Sequence, residues 1–323
     1  MSGIALLCSG QGYQRADMFD LLADAPEADP VFKRGRLVLG GDDPRELVRR
    51  ATNDALHTNK VGQILCCTQA IAAWAVLSAK VPRPLVVAGY SVGELAAWGV
   101  AGLLDDEDVL DLVVQRAAAM DEATTQPSGL VAIRGLKRAT LDPICRIHGV
   151  YVAIVDGEEQ ILVGGTRRAL DAVIHDAQAA GAERTTILPV AVASHTPLLA
   201  SASDRFRQAL TKTHLPAEVP TDVRLLSGID GAAVFDVRAG ADKLARQIQQ
   251  TVDWAACMES CRADGVTKAV EFGPGNALTR FMHEFMPDAD VHSLSEFHSL
   301  PAFEHWVQSS STRLPESESR PPC

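Results

Sequence analysis

The sequence predicts an α/β fold in two parts: a large domain built on a parallel sheet, and a small subdomain inserted into it. Three observations carry this. Short apolar strands at 3–8 and 84–91 each run through a glycine-bearing turn into a helix, the order a parallel sheet requires. Between 129 and 190 the pattern changes to strand, helix, hairpin, helix, strand. The 323 residues exceed one small core, since domains typically hold roughly 100–200 residues. The predicted division is 1–126 and 192–308 for the large domain, 127–191 for the subdomain, and a disordered tail at 309–323, rich in Ser, Pro and Glu.

The elements follow in order. GIALLC (3–8) reads as a buried strand ending in Ser9-Gly10-Gln11-Gly12. Residues 24–60 are rich in Pro, Gly, Asp and Arg, with PRELVRRA the helical piece, and a long apolar helix spans about 62–79. PLVVAGYS (84–91) is a strand, and ELAAWGVAGLL continues it with good helix formers. DDEDVLDLVVQRAAAM places acids at the positive end of a helix, about 105–121, and spaces Val109, Leu112, Val113 and Ala117 on one face. Strand GLVAIRG, helix 137–147, strand VYVAIVD, a turn at Gly157, strand EQILVGG, helix TRRALDAVIHDAQAAGA and strand RTTILPV give β-α-β-β-α-β, the ferredoxin-like order. The large domain resumes with helix 197–211, strand VRLLSG, helices at 240–250 and 253–263, strand TKAVEFG and a turn at Gly273-Pro274-Gly275.

With 47% hydrophobic and 22% charged residues the chain can bury a sizeable core. Thirty Lys and Arg against 41 Asp and Glu give a net charge of −11, which disfavours nucleic acid and anionic membranes as partners. Seven cysteines, at 8, 66, 67, 145, 257, 261 and 323, form no C-x-x-C pair, so a reducing cytoplasm is the expected location and no metal site is expected. The run Ile4–Cys8 lacks a basic flank, and no apolar run reaches the roughly 18 residues that span a bilayer.

Gly89-Tyr90-Ser91-Val92-Gly93 lies between strand and helix and matches a nucleophile elbow, which makes the large domain α/β-hydrolase-like. The turn presents Ser91 and the Val92 amide at a helix N-terminus, where an oxyanion is stabilised. A serine needs a base, and among nine histidines His195 stands out: it follows the apolar VAVAS and precedes a Pro-initiated helix where the subdomain rejoins the large domain. A lone histidine there is more often structural. In an ordinary α/β-hydrolase the histidine comes late, yet nearly 130 residues follow His195.

The GQG loop, the elbow, the inserted β-α-β-β-α-β unit, S-H-T-P and the late E-F-G-P-G together resemble the malonyl-CoA:acyl carrier protein transacylase family, the acyltransferases of fatty acid and polyketide synthesis, over about residues 3–295. The resemblance implies that Ser91 is acylated, that His195 is its base, and that the backbone amides of Gln11 and Val92 form the oxyanion hole. It implies that Arg116 binds the free carboxylate of a malonyl group, a task suited to a planar guanidinium. It implies that Gln63 and Gln247 bind substrate, since they match glutamines near the pocket and near the histidine, which in the family is oriented by a backbone carbonyl. The substrates implied are malonyl-CoA and the phosphopantetheine thiol of an acyl carrier protein, with no further cofactor, in a ping-pong reaction of a monomer.

Three positions depart from the pattern: Tyr90 replaces a histidine, Ser9 a proline, and Asp156 an asparagine. Two other readings stay open: a malonyltransferase serving malonate decarboxylase, and a serine hydrolase of acyl thioesters, against which Arg116 argues for simple chains. A non-catalytic carrier-holding module fits poorly with retention of every proposed catalytic residue. An acidic carrier would need a local basic patch, for which Lys137 with Arg138, Arg167 with Arg168, and Arg49, Arg50 and Lys60 are the candidates.

Overall fold

Residues 3–309 are described by a computed structural model, so the predicted disordered tail lies outside the described residues except for Ser309. Among the described residues ten strands form two sheets: β1 (Gly3–Cys8), β2 (Leu85–Gly89), β3 (Ser128–Arg134), β4 (Tyr151–Gly157), β5 (Gln160–Thr166), β6 (Arg184–Ile187), β7 (Val223–Leu225), β8 (Val252–Asp253), β9 (Val266–Phe272) and β10 (Asp290–Ser293). The first sheet is wholly parallel, in the order β10-β9-β1-β2-β7. The central strands β1 and β2 are buried and read as continuous apolar runs, as expected where helices cover both faces, while β9 carries Thr267, Lys268 and Glu271 among its apolar residues. Register decides where function sits. Cys8 pairs with Gly89 on one side and Phe272 on the other, so the loops after β1, β2 and β9 leave at one level of one edge, where open α/β sheets place their ligands.

The second sheet has the order β6-β3-β5-β4-β8 and is antiparallel apart from the short parallel pairing of β4 with β8. Alternation along its strands gives it two apolar faces. Val131, Ile133, Ile161 and Val163 pack under the helices Arg138–His148 and Arg167–Ala179 with Leu141, Leu170 and Val173. Leu130, Ile154 and Leu162 turn the other way and join the main core.

The helix at 62–79 is observed as Asn59–Leu77, and that at 105–121 as Asp106–Ala123, whose N-cap Asp105 accepts from the Asp108 amide at 2.7 Å. The element at 197–211 is a single 3-10 turn, Pro197–Leu199, followed by Ala200–Leu210. Helices expected at 240–250 and 253–263 occupy Val237–Arg246 and Trp254–Ala263. Helices Asp29–Val38, Ala277–Phe285 and Leu300–Gln308, with β8 and β10, have no counterpart in the sequence reading. The expectation that no segment is long and apolar enough to span a bilayer is corrected: Asn59–Lys80 passes that test at a mean hydropathy of 1.5. It is a core helix, with 72% of the tested window buried, packed against helices Asp29–Val38, Gly93–Val100 and Asp106–Ala123.

Candidate active site

The turn after β2 is shaped by glycines that admit no side chain. A Cβ on Gly89 would meet the Glu94 amide nitrogen at 2.2 Å, and one on Gly93 would meet the Cys8 carbonyl at 2.1 Å. The chain therefore folds back tightly onto β1, and Ser91 takes φ +55°. His195, between the 3-10 turn and the second sheet, has φ +62°. These are the two non-glycine residues with positive φ among the described residues, and left-handed backbone in such residues clusters at functional sites.

The two meet. Ser91 Oγ lies 2.8 Å from His195 Nε2, and His195 Nδ1 lies 2.6 Å from the Gln247 carbonyl oxygen. A carbonyl only accepts, so Nδ1 carries the proton, leaving Nε2 to accept from the serine hydroxyl. Burial, and then the nearby Arg116 charge, lower the His195 pKa to about 3, although the Gln247 carbonyl opposes this. The imidazole is thus neutral at physiological pH, the form a base needs. The amides of Gln11 and Val92 have no hydrogen-bond acceptor among the described residues, and both residues belong to turns at the edge where Ser91 emerges.

Arg116 is 1% exposed, which removes the reading of a solvated helix charge. Its Nη1 donates to Gln63 Oε1 at 2.6 Å and its Nη2 to Gln247 Oε1 at 3.3 Å. Gln63 in turn donates from Nε2 to Asn59 Oδ1 at 2.6 Å. Burial pulls the Arg116 pKa down to about 10, with Cys67 and Glu94 opposing, so it stays a cation. Ser91, His195, Gln11, Gln63 and Arg116 line one cavity of about 520 Å³ between the two sheets. The second sheet supplies the apolar wall, including Leu130, Ala132, Ile154 and Leu162, while the exposed Arg134, Arg184 and Arg280 stand at its border.

Gln247 is placed differently from its expected substrate-binding role. It is fully buried, does not line the cavity, and works from behind: its carbonyl holds His195 and its side chain holds Arg116. Three residues near the site carry more than sequence assigned them. Glu94 is buried against the Gln247 amide, which donates to its Oε2 at 2.5 Å, and burial pushes its pKa up to about 7. Tyr90 and Asp156, both departures from the family pattern, touch each other: the Tyr90 hydroxyl donates to Asp156 Oδ2 at 3.3 Å, and burial raises the Asp156 pKa to about 7. The sequence signal for this pair is that both depart from the family pattern, at two separate motifs.

Two of the three surface basic clusters are less free than their sequence implies, Arg167 with Arg168 being the exception. Lys137 pairs with Glu158, Arg138 with Asp142, Arg49 with Asp20 and Arg50 with Asp42. Cys66 and Cys67, beside the site, are buried thiols whose pKa burial raises, and the six described cysteines are all buried and unpaired.

Comparison with known proteins agrees with this geometry. The family model described as an acyl transferase domain matches residues 5–293. A malonyl CoA-acyl carrier protein transacylase of Salmonella typhimurium is 30% identical over 309 residues, covering 94% of this chain and 99% of that one. An acyl-carrier-protein S-malonyltransferase of Burkholderia pseudomallei superposes with a TM-score of 0.86 at 28% identity, covering 95% of this chain and all of that one. A chain from the complex of a type II PKS acyl-carrier protein with its malonyl-transacylase superposes with a TM-score of 0.87 at 26% identity, covering 94% and 99%. A family model matched over residues 5–293, together with a relative 30% identical over 94% of the chain, means that the chain belongs to the acyl transferase domain family.

Proposed function

We propose that this protein transfers a malonyl group from malonyl-CoA through a Ser91 ester to the phosphopantetheine thiol of an acyl carrier protein. The observation that supports it most is the pairing of the Ser91–His195–Gln247 relay with a buried arginine in the same cavity. A hydrolase of simple acyl chains has no use for that cation.

In this reading His195 Nε2 takes the Ser91 proton as Oγ attacks the thioester carbonyl, and the oxyanion rests on the Gln11 and Val92 amides. The C–S bond then breaks and coenzyme A leaves as the thiol with the proton held on Nε2. Arg116 pairs with the distal carboxylate, its charge undiminished by titration at physiological pH. The carrier's thiol next gives its proton to Nε2, attacks the ester carbonyl, and Ser91 Oγ recovers the proton as it departs. Water competes at this step, and the apolar wall of Leu130, Ile154 and Leu162 disfavours it there.

The large part is then an α/β-hydrolase-like catalytic domain, and the β-α-β-β-α-β unit, with strand order β6-β3-β5-β4, a ferredoxin-like lid of the cavity. Arg184 and Arg280, with Arg134, border the cavity and meet the phosphates of either substrate's arm, a better placed choice than Lys137 and Arg138, which are engaged with neighbouring acids. The enzyme works as a cytoplasmic monomer without cofactor or metal.

Intact-mass measurement after mixing with malonyl-CoA or acetyl-CoA tests this. A malonyl adduct that Ser91→Ala abolishes is expected; rapid hydrolysis without an adduct would favour a thioester hydrolase, and inertness toward both donors would sink the proposal.

A further inference from the structure

Glu94 and Arg116 are opposite charges, both about 1% exposed, on adjacent helices, and they make no direct ion pair. The Gln247 side chain stands between them. Its Nε2 donates to Glu94 Oε2 at 2.5 Å and to the Ser91 carbonyl at 3.1 Å, while its Oε1 accepts from Arg116 Nη2 at 3.3 Å. The passage is tight: a Cβ on Gly228 would meet Glu94 Oε2 at 2.6 Å and Gln247 Nε2 at 3.3 Å. One residue therefore joins the carboxyl, the guanidinium, the serine backbone and, through its own carbonyl, the histidine.

The separation has a physical purpose. A buried guanidinium needs a countercharge, yet a carboxylate bonded directly to it would occupy the donors that a substrate carboxylate must use. An intervening amide satisfies both demands. Once a carboxylate-bearing acyl group binds, two negative groups face one positive group in a site with little water. One of them must give up its charge, and the buried carboxyl is the one able to.

We propose that Glu94 is a positioning residue that tunes the site for carboxylate-bearing acyl groups, balancing Arg116 through the Gln247 amide in the empty site and taking up a solvent proton when the substrate's carboxylate arrives. This rests on the malonyl reading above. Burial already raises the Glu94 pKa to about 7, against the lowering by Gln247, the Gly228 amide and Arg116, so a further rise on binding draws a proton at neutral pH. The groups facing this region are Arg116, Cys67 near it, Cys257 and Asp230 on the side of Trp254–Ala263, and His195 through Gln247. Asp156 and Glu271 line the same cavity and are also raised, so a pH profile of the parent protein alone does not isolate Glu94.

Calorimetric titration of the Ser91→Ala protein at pH about 7.5, in two buffers of different ionisation enthalpy, reads the proton directly. Malonyl-CoA should take up a sizeable fraction of a proton more than acetyl-CoA, which carries the same phosphates, and Glu94→Gln in the Ser91→Ala background should abolish that excess. In the Ser91→Ala protein the malonyl-CoA Kd should rise about three- to tenfold between pH about 6.5 and 8.5, against less than about twofold with Glu94→Gln. An excess that persists in the Glu94→Gln protein, or no excess at all with intact malonyl-CoA binding, would overturn the role of Glu94. Should the Glu94→Gln protein fail to fold, Asp156→Asn and Glu271→Gln in the Ser91→Ala background decide: an excess that both retain supports Glu94, and one that either abolishes overturns its role. Failure of the Ser91→Ala protein to bind malonyl-CoA overturns instead the malonyl reading, and this inference with it.

Discussion

The two sheets contribute to one cavity in unlike ways. The parallel sheet supplies chemistry: the turns after β1 and β2 carry Gln11, Ser91 and Val92, and the helices behind it carry Gln63 and Arg116. The antiparallel sheet supplies a wall, with Leu130, Ala132, Ile154 and Leu162 and, among its titratable side chains, Asp156 and, at the border, Arg134 and Arg184. Strand geometry explains the division. Parallel strands in register send several loops out at one edge, where backbone amides and side chains converge, whereas an antiparallel sheet offers a face of alternate side chains and returns its loops to opposite ends.

That contrast breaks most visibly at the dyad. Ser91→Ala or His195→Ala should reduce malonyl transfer by about a thousandfold or more with the fold intact, measured as single-turnover rate and by circular dichroism. The glycines separate the sheets by stability. Gly93→Ala forces a Cβ onto the Cys8 carbonyl and should cost about 3 kcal/mol, while Gly157→Ala at the β4–β5 hairpin, where the nearest atom lies 3.9 Å away, should stay within about 1 kcal/mol in urea unfolding.

Arg116→Ala should lower kcat/KM for malonyl-CoA by about a hundredfold and leave acetyl-CoA nearly unchanged, because only the malonyl carboxylate loses its partner. Equal losses would make Arg116 structural. The smallest effect is expected from the wall. Asp156 has a folded-state pKa raised to about 7 from 3.8, so its ionised form weakens the fold. Its favourable contribution is complete below about pH 4 and is lost as pH rises through about 7. Asp156→Asn should therefore raise Tm relative to the parent at pH about 8.5 and show no such gain at pH about 4. A pH-independent difference would mean that the contact with Tyr90, not the charge, governs that position.

Much of this was legible in sequence, for reasons particular to each element. The elbow is readable because Gly89 and Gly93 are demanded by close backbone contacts, and contacts of that kind leave glycine at fixed spacing. The β3-to-β6 unit is readable because its strands alternate cleanly and its helices carry apolar stripes at Leu141 and Cys145 and at Leu170, Val173 and Ala177. The two-residue β8 and the four-residue β10 are too short to show a period, and the part of Asp29–Val38 that is buried amounts to three residues in a polar setting. At the site, Ser91, His195 and Arg116 could be chosen by motif. The wiring through Gln247 could not, because 153 residues separate it from Glu94 and 131 from Arg116, and no local pattern records such contacts.

The left-handed backbone of Ser91 and His195 sets thermal robustness against turnover. Glycine pays no steric cost at φ +55° or +62°, so Ser91→Gly and His195→Gly relax the backbone where alanine does not. A selection that scored only resistance to heat would drift toward glycine at Ser91 and return a sturdier, inert protein, while the buried ring of His195, bonded to the Gln247 carbonyl, holds its own position. The two positions at which the described chain holds this conformation against its preference are those between which the proposed reaction passes its proton.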